Sequence, residues 1–324
     1  MAETIVSNQV ATVLTGLFSI IFSFGGLANF LVLITHIEYH KILLKDSKDI
    51  FTFSLALNDF LMSTVVTTFP LSSAVKKRWT TGQYGCIVYG FTSTWIGLSS
   101  MLQLAAIAIE RCYNLSQFLH YTRSKVRAVY TVLSCCVISF FASLMPLFGH
   151  SKYTLEGYGL HCSIAWERSH IWYCSFLLIF FFVLPLFSIT ISYIKILLVI
   201  RGMHGKAIQI WGINSSETLK TYTAHVKFTK QLMAVTFGFL IAWTPYAVIS
   251  SAHVLTNVRF ENALYELPTI FAKTANVYNP IIYFFMYRSL RRRVSLVLRR
   301  MMKSVTSRKS PSAINSIIYI GKFS

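Results

Sequence analysis

Residues 170–198 read HIWYCSFLLIFFFVLPLFSITISYIKILL, and from Ile171 to Ile194 the stretch holds no Asp, Glu, Lys or Arg. A helix needs about 20 mainly apolar residues to cross the hydrocarbon core of a bilayer. Lipid offers no partner to backbone N–H and C=O groups, so such a run must be helical and satisfy them internally. Six more runs of the same kind occupy roughly 11–35, 50–74, 86–110, 129–149, 228–256 and 263–286. Polar residues gather in the gaps between them. The sequence therefore predicts an all-α membrane protein, a seven-transmembrane-helix bundle over 11–286, built as one domain without repeats or low-complexity segments.

The composition agrees. Of 324 residues, 54% are hydrophobic and 13% charged, against roughly 25% charged in a soluble domain. The net charge of +19 raises nucleic acid as a partner, but the basic residues lie between apolar runs instead of forming a polar face, so the expected partner is a lipid membrane and not nucleic acid. Met1–Val10 has no basic n-region and the first apolar run is too long for an h-region, so no cleavable signal peptide is expected. The six cysteines are scattered, with no CxxC and no metal-ligand spacing, so no metal site is expected.

Seven spans put the two ends on opposite sides. The side that includes the C-terminus carries 23 of the 30 lysines and arginines, the other side six, and Lys273 lies within a span. The positive-inside rule places the C-terminus in the cytoplasm and the N-terminal segment, residues 1–10, outside the cell membrane. Within 287–303, Leu290, Val294, Val297 or Leu298, and Met301 recur at helical spacing among arginines. This reads as a short amphipathic eighth helix on the inner leaflet; a basic stop-transfer tail is the alternative. Residues 304–324 are Ser/Thr-rich and expected to form a flexible cytoplasmic tail. The sequons at Asn114 and Asn214 fall on the cytoplasmic side, where glycosylation is not expected.

Ionisable residues inside spans are rare and cost about 2.5–3.5 kcal/mol each at a helix centre. Here they include Asp59, in the second run, Glu110 and Arg111, which end the third, and Lys273, in the middle of the seventh. With about ten apolar or small residues on either side, the stem of Lys273 cannot snorkel to an interface. A buried lysine amine that sheds its proton is a nucleophile and forms Schiff bases with aldehydes. The residues alone leave a second reading equally open: an ion pair with an acid on a neighbouring helix, for which Asp59 is the mid-span candidate, although it sits deeper toward the cytoplasm.

Several motifs in order resemble the rhodopsin family of G-protein-coupled receptors and together cover nearly the whole chain. They are Gly26-Leu27-Ala28-Asn29, Leu55-Ala56-Leu57-Asn58-Asp59, Trp79, Gly82 and Cys86 before the third helix, Glu110-Arg111 at its end, Pro185 and Tyr193, Trp243-Thr244-Pro245-Tyr246, and Asn279-Pro280-Ile281-Ile282-Tyr283. Within that family the chain resembles opsins, which carry a lysine seven residues before the proline of the seventh helix, as Lys273 stands before Pro280. The segment Pro146-Leu147-Phe148-Gly149 leading to Glu156-Gly157 and Cys162 also fits opsins. The resemblance implies retinal, 11-cis or all-trans, held on Lys273 as a protonated Schiff base.

A buried cation of that kind needs a counterion. Many vertebrate visual opsins place a glutamate three residues after the cysteine of the third helix; here that position is Tyr89. The resemblance leaves Glu156, in the loop that folds into the pocket, as the expected counterion, a pattern similar to invertebrate-type and other non-visual opsins. An opposite charge at 4 Å is worth about 4 kcal/mol at an effective dielectric near 20, or roughly three pKa units. Glu266 is the rival acid, two helical turns (roughly 10 Å) above Lys273. Cys86 and Cys162 both face an oxidising compartment and are expected to pair, pinning Glu156 over the pocket. Trp243, Tyr246, Tyr89 and Phe271 are expected to line the cavity.

The family reading implies a light-sensing receptor that activates a heterotrimeric G protein, with Glu110, Arg111, Tyr193, Tyr283, Asn279 and Asp59 in the switching machinery, and with receptor kinase and arrestin acting on the tail. A retinal photoisomerase using the same lysine, and a ligand-gated receptor insensitive to light, are the alternatives; otherwise no enzymatic activity is expected. Four departures bear on G-protein coupling and helix contacts. Cys112 follows Glu110-Arg111, Cys136 stands where relatives have a tryptophan, His225 occupies a position that is acidic in some relatives, and Tyr287-Arg288-Ser289 follows the seventh helix.

Overall fold

The structure is a computed structural model that describes residues 6–44, 46–116, 125–211, 216–256, 258, 260–286 and 288–308. Asn214 and the tail beyond 308 lie outside the described residues, as does the side chain of His225. The first helices are α1 (Asn8–Glu38), α2 (Ser47–Lys76), α3 (Gly82–Ser116) and α4 (Lys125–Leu144). Strands β1 (Tyr153–Glu156) and β2 (His161–Ile164) follow, then α5 (Arg168–Gly202) and α6 (Ser216–Thr256). The last span is α7, in two halves, Asn262–Lys273 and Ala275–Met286, and α8 is Arg288–Arg308.

Among the described residues, six helices are long and apolar enough to cross a membrane. The seventh span, expected as one run over 263–286, is interrupted at Thr274, so neither half reaches the required length alone. The helices also extend past the apolar runs, because helical hydrogen bonding continues where the chain leaves lipid. Wider π-turns occur at Met62–Val66 and Ile179–Val183, each followed by a proline without an N–H, Pro70 and Pro185.

The distribution of side chains is the reverse of a soluble bundle. Phe24, Leu27, Phe141, Phe187, Leu198, Ile241 and Phe285 are exposed on outward faces, while Asn58, Asp59, Gln103, Asn279 and Lys273 are buried. Lipid is as apolar as leucine, so the interior is where polar side chains find partners. Asn58 Nδ2 donates to Ser100 Oγ at 3.0 Å and Asn279 Nδ2 to Asp59 Oδ2 at 3.0 Å, joining α2 to α3 and α7. Trp95 Nε1 donates to the Cys136 carbonyl at 2.9 Å, so an α3 tryptophan fills the contact with α4 beside that cysteine.

Two features refine the sequence reading. The all-α expectation omits the antiparallel hairpin β1–β2, which lies across one end of the bundle against α3. The amphipathic helix runs to Arg308, beyond the expected boundary at 303. Its stripe of Leu290, Val294 and Val297 is buried, Met301 is exposed, and Arg300 pairs with Glu38 of α1.

Candidate functional site

Lys273 ends the first half of α7 with its side chain turned inward, 7% exposed. It stands at the edge of a cavity lined by Thr94, Gly97 and Met101 of α3, Phe181 and Phe182 of α5, Phe239, Trp243 and Tyr246 of α6, and Thr269 and Ala272 of α7. The hairpin closes the cavity with Glu156, His161, Cys162, Ser163 and Ile164. Trp243 reaches its place because residue 97 is glycine: a Cβ there would lie 2.9 Å from the indole. The indole also stacks on Phe239, with ring centroids 5.5 Å apart. Tyr246 is fixed by Trp166, whose Nε1 donates to the phenol oxygen at 2.9 Å.

The hairpin is held at three points. Cys86 and Cys162 form a disulfide, tying β2 to the start of α3. Tyr153 donates to the Ser143 carbonyl at 2.8 Å. Gly157 and Gly159 both have positive φ, 58° and 74°, which tightens the turn and lets the Gly159 N–H donate to the Glu156 carbonyl at 2.9 Å. The four remaining cysteines, Cys112, Cys135, Cys136 and Cys174, form no disulfide.

Glu156 and His161 face each other across the hairpin register. The imidazole Nε2 is 3.2 Å from Glu156 Oε2, and its Nδ1 is 3.3 Å from Glu266 Oε1 on α7. The second contact is close in distance but falls outside hydrogen-bond geometry. Glu266 Oε2 accepts the Tyr158 N–H at 3.4 Å. The three side chains are 8% (Glu156), 1% (His161) and 1% (Glu266) exposed. Burial pulls the imidazole pKa down, but the Glu266 and Glu156 carboxylates outweigh it and push His161 up to about 9.

Of the expected pocket residues, Trp243 and Tyr246 line the cavity, and Glu156 caps it. Tyr89 is buried beside it, with the Lys273 Nζ 5.8 Å from its ring centroid, and packs against Phe69 and Trp79. Phe271 does not line the cavity: it is 45% exposed on the outer face of α7. At 3.6 residues per turn, a residue two positions from Lys273 points about 200° away. His161 was not among the sequence candidates; its signal was a histidine placed opposite Glu156 across a glycine-rich turn. At the other end of the bundle, Asp59 holds Asn279, Tyr193 shares a 3.0 Å hydrogen bond with Thr236 of α6, and Tyr283 is buried. Glu110 accepts from Asn114 at 3.5 Å, and Arg111 lies half-buried beside it.

The family model described as "7 transmembrane receptor (rhodopsin family)" matches residues 28–283. The chain belongs to the rhodopsin family of seven-transmembrane receptors. Among its relatives, this rhodopsin-family chain is 32% identical over 277 residues to human melanopsin, a match covering 80% of the chain and 56% of melanopsin. The chain thus spans little more than half of that relative's length. It is 32% identical over 251 residues to the blue-sensitive opsin of Gallus gallus, covering 74% of this chain and 66% of that one. It is 29% identical over 282 residues to the Danio rerio protein named "Opsin-1, short-wave-sensitive 2", covering 84% and 76%. The fold matches the crystal structure of squid rhodopsin with a TM-score of 0.81 at 23% identity, over 96% of this chain and 94% of that one. As a rhodopsin-family receptor, the chain is a multi-pass membrane protein.

Proposed function

We propose that this receptor is a light sensor that carries retinal on Lys273 and signals to a heterotrimeric G protein. The observation that carries the reading is the placement of Lys273. Among the described residues it is the one buried lysine, and it faces an apolar cavity capped by a carboxylate. The resemblance of the chain to opsins supports the same reading.

The cavity residues fit retinal. Aromatic and aliphatic side chains suit a polyene, the amine meets an aldehyde at one edge, and Glu156 supplies a negative charge at the lid. Lys273 would hold retinal covalently through its side-chain nitrogen, the aldehyde oxygen being lost as water. When bound, retinal supplies absorption of light and a change of shape. Glu156 holds a proton on the Lys273 nitrogen, whereas Tyr89, a phenol with an ordinary pKa near 10, offers no compensating charge. Trp243 rests against the cavity and links it to α6. The signal leaves at the far end, where Asp59, Asn279, Tyr193, Tyr283, Glu110 and Arg111 rearrange as the bundle shifts between two packings. In this reading that end and the C-terminus face the cytoplasm, with receptor kinase and arrestin acting on the tail, and the hairpin and N-terminus face outward.

The test is reconstitution with 11-cis or all-trans retinal, followed by an absorption spectrum and light-dependent nucleotide exchange on purified G proteins. A visible pigment lost in Lys273→Ala, and drained into the near ultraviolet by Glu156→Gln at neutral pH, is the expected result. A full pigment in Lys273→Ala sinks the reading. A pigment that isomerises retinal without driving nucleotide exchange on any G-protein class makes the chain a photoisomerase instead.

A further inference from the structure

His161 lies between two carboxylates, with a ring nitrogen facing each at 3.2 and 3.3 Å. A neutral imidazole has one N–H and one lone pair, and ionised carboxylates only accept. A neutral ring would therefore aim a lone pair at an anionic oxygen in a site closed to water. One more proton removes that conflict. It rests on the ring, because imidazole is more basic than a carboxylate.

The charges then balance. Glu156 and Glu266 contribute two negative charges and the imidazolium one positive charge, so the group carries −1. Facing it is one positive charge, on the Lys273 nitrogen. Buried charge is tolerated where it is paired, and these four groups sum to zero. The phenols of Tyr89 on α3 and Tyr246 on α6 also stand within electrostatic reach of the carboxylates.

We propose that Glu156, His161 and Glu266 act as one counterion of net charge −1 for the Lys273 nitrogen, with His161 as the positioning residue that joins the α7 acid to the loop acid. This deepens the function proposed above and rests on it. Glycine at position 157 is part of the arrangement. Its positive φ disfavours a side chain, and a Cβ there would lie 2.7 Å from Glu266 Oε2, so glycine lets the hairpin approach the carboxylate without displacing it while Tyr158 donates to it.

The test compares the pH midpoint of the visible band in pigments made with retinal. In Glu156→Gln, the imidazolium and the Lys273 nitrogen compete for Glu266 alone. Adding His161→Gln removes the competing cation and is expected to raise the midpoint. Adding Glu266→Gln to that pair removes the last anion and is expected to lower it about tenfold in proton affinity, the effect of a charge roughly 10 Å away at an effective dielectric near 20. A merely structural role for His161 predicts a further fall when it is replaced. A midpoint unchanged or lowered by His161→Gln, or indifferent to Glu266→Gln, overturns the proposal.

A second readout needs no retinal. Nitrogen-15 spectra of the histidine rings in the retinal-free protein, with His161 assigned by its loss in His161→Gln or His161→Asn, are expected to show an imidazolium at pH 7. A neutral ring there overturns the proposal. Lys273→Ala separates the two claims. If it abolishes the pigment while His161 and Glu266 prove silent, the single-acid counterion stands and only this inference fails. If it leaves the pigment intact, the functional reading itself has failed.

Discussion

Asn29 on α1 donates its side-chain amide to the backbone oxygen of Asn276 on α7 at 2.8 Å. That oxygen is the one that Pro280, four residues on and without an N–H, leaves unfilled. The same amide also donates to the Gly25 carbonyl at 2.9 Å. A gap in one helix is thus filled by a side chain from another, next to the half of α7 that follows Lys273. Replacing Asn29 with Leu strands a buried carbonyl, a loss of about 1–3 kcal/mol. The thermal midpoint of the purified receptor is expected to fall by several degrees; an unchanged midpoint would show that the carbonyl finds another donor.

Trp243 and Phe271 are both aromatic, and only the first faces the cavity. Trp243→Ala is expected to shift the absorption maximum of the pigment or prevent its formation. Phe271→Ala is expected to leave the spectrum unchanged, since its ring meets lipid. Gly97→Ala should mimic the tryptophan variant in part, because the new methyl group displaces the indole. Equal spectral effects from Phe271→Ala and Trp243→Ala would contradict the observed orientation of α7.

Folding with a raised His161 pKa links stability to pH. Below the ordinary histidine value of about 6.5 the ring is charged in both folded and unfolded chains, and its stabilising contribution is fully present. As pH rises toward about 9, the folded protein alone must keep the proton, and the contribution is lost. The shift corresponds to at most about 3 kcal/mol. Thermal melts of the retinal-free receptor should therefore weaken between pH 6.5 and 9, and His161→Gln should flatten that slope. A wild-type profile that is flat or rises over this window would remove the charged imidazole from the stability of the hairpin.

The Cys86–Cys162 bond closes a sequence separation of 76 residues and anchors the strand that carries His161. Replacing both cysteines with serine is expected to leave the bundle assembled, because the helices pack independently of it, but to loosen the lid over the cavity. Hydroxylamine, which would attack the proposed Lys273 linkage, should bleach the pigment severalfold faster in the dark. Equal bleaching rates would mean that Tyr153 and the packing on α3 hold the hairpin unaided.

Gly157→Ala tests the closest approach of hairpin to helix. Its positive φ disfavours any side chain, and the added methyl group meets Glu266. Reduced pigment yield is expected, together with partial restoration by Glu266→Ala, which vacates the space. No restoration would assign the defect to backbone strain alone.

The seven spans, the buried lysine, its spacing to Pro280 and the acid ahead of Cys162 were legible along the chain. Lipid imposes length and apolarity one segment at a time, and each motif is local. The contact of His161 with Glu266 was not legible, because it joins a hairpin to a helix more than a hundred residues later, and neither segment's pattern contains the other. The same holds for Phe271, whose apolar character suits a pocket and lipid equally well. Its direction follows from the rotation of α7 that turns Lys273 inward. The filling of the Asn276 carbonyl likewise depends on a neighbour, since the gap that Pro280 leaves in α7 is closed by Asn29 of α1. Hydropathy therefore determined that a seven-helix bundle forms around Lys273, and the resemblance of its motifs that the bundle is a receptor. The packing of distant elements decided which acids and which aromatic rings surround it, because charge pairing and side-chain direction exist only once those elements meet.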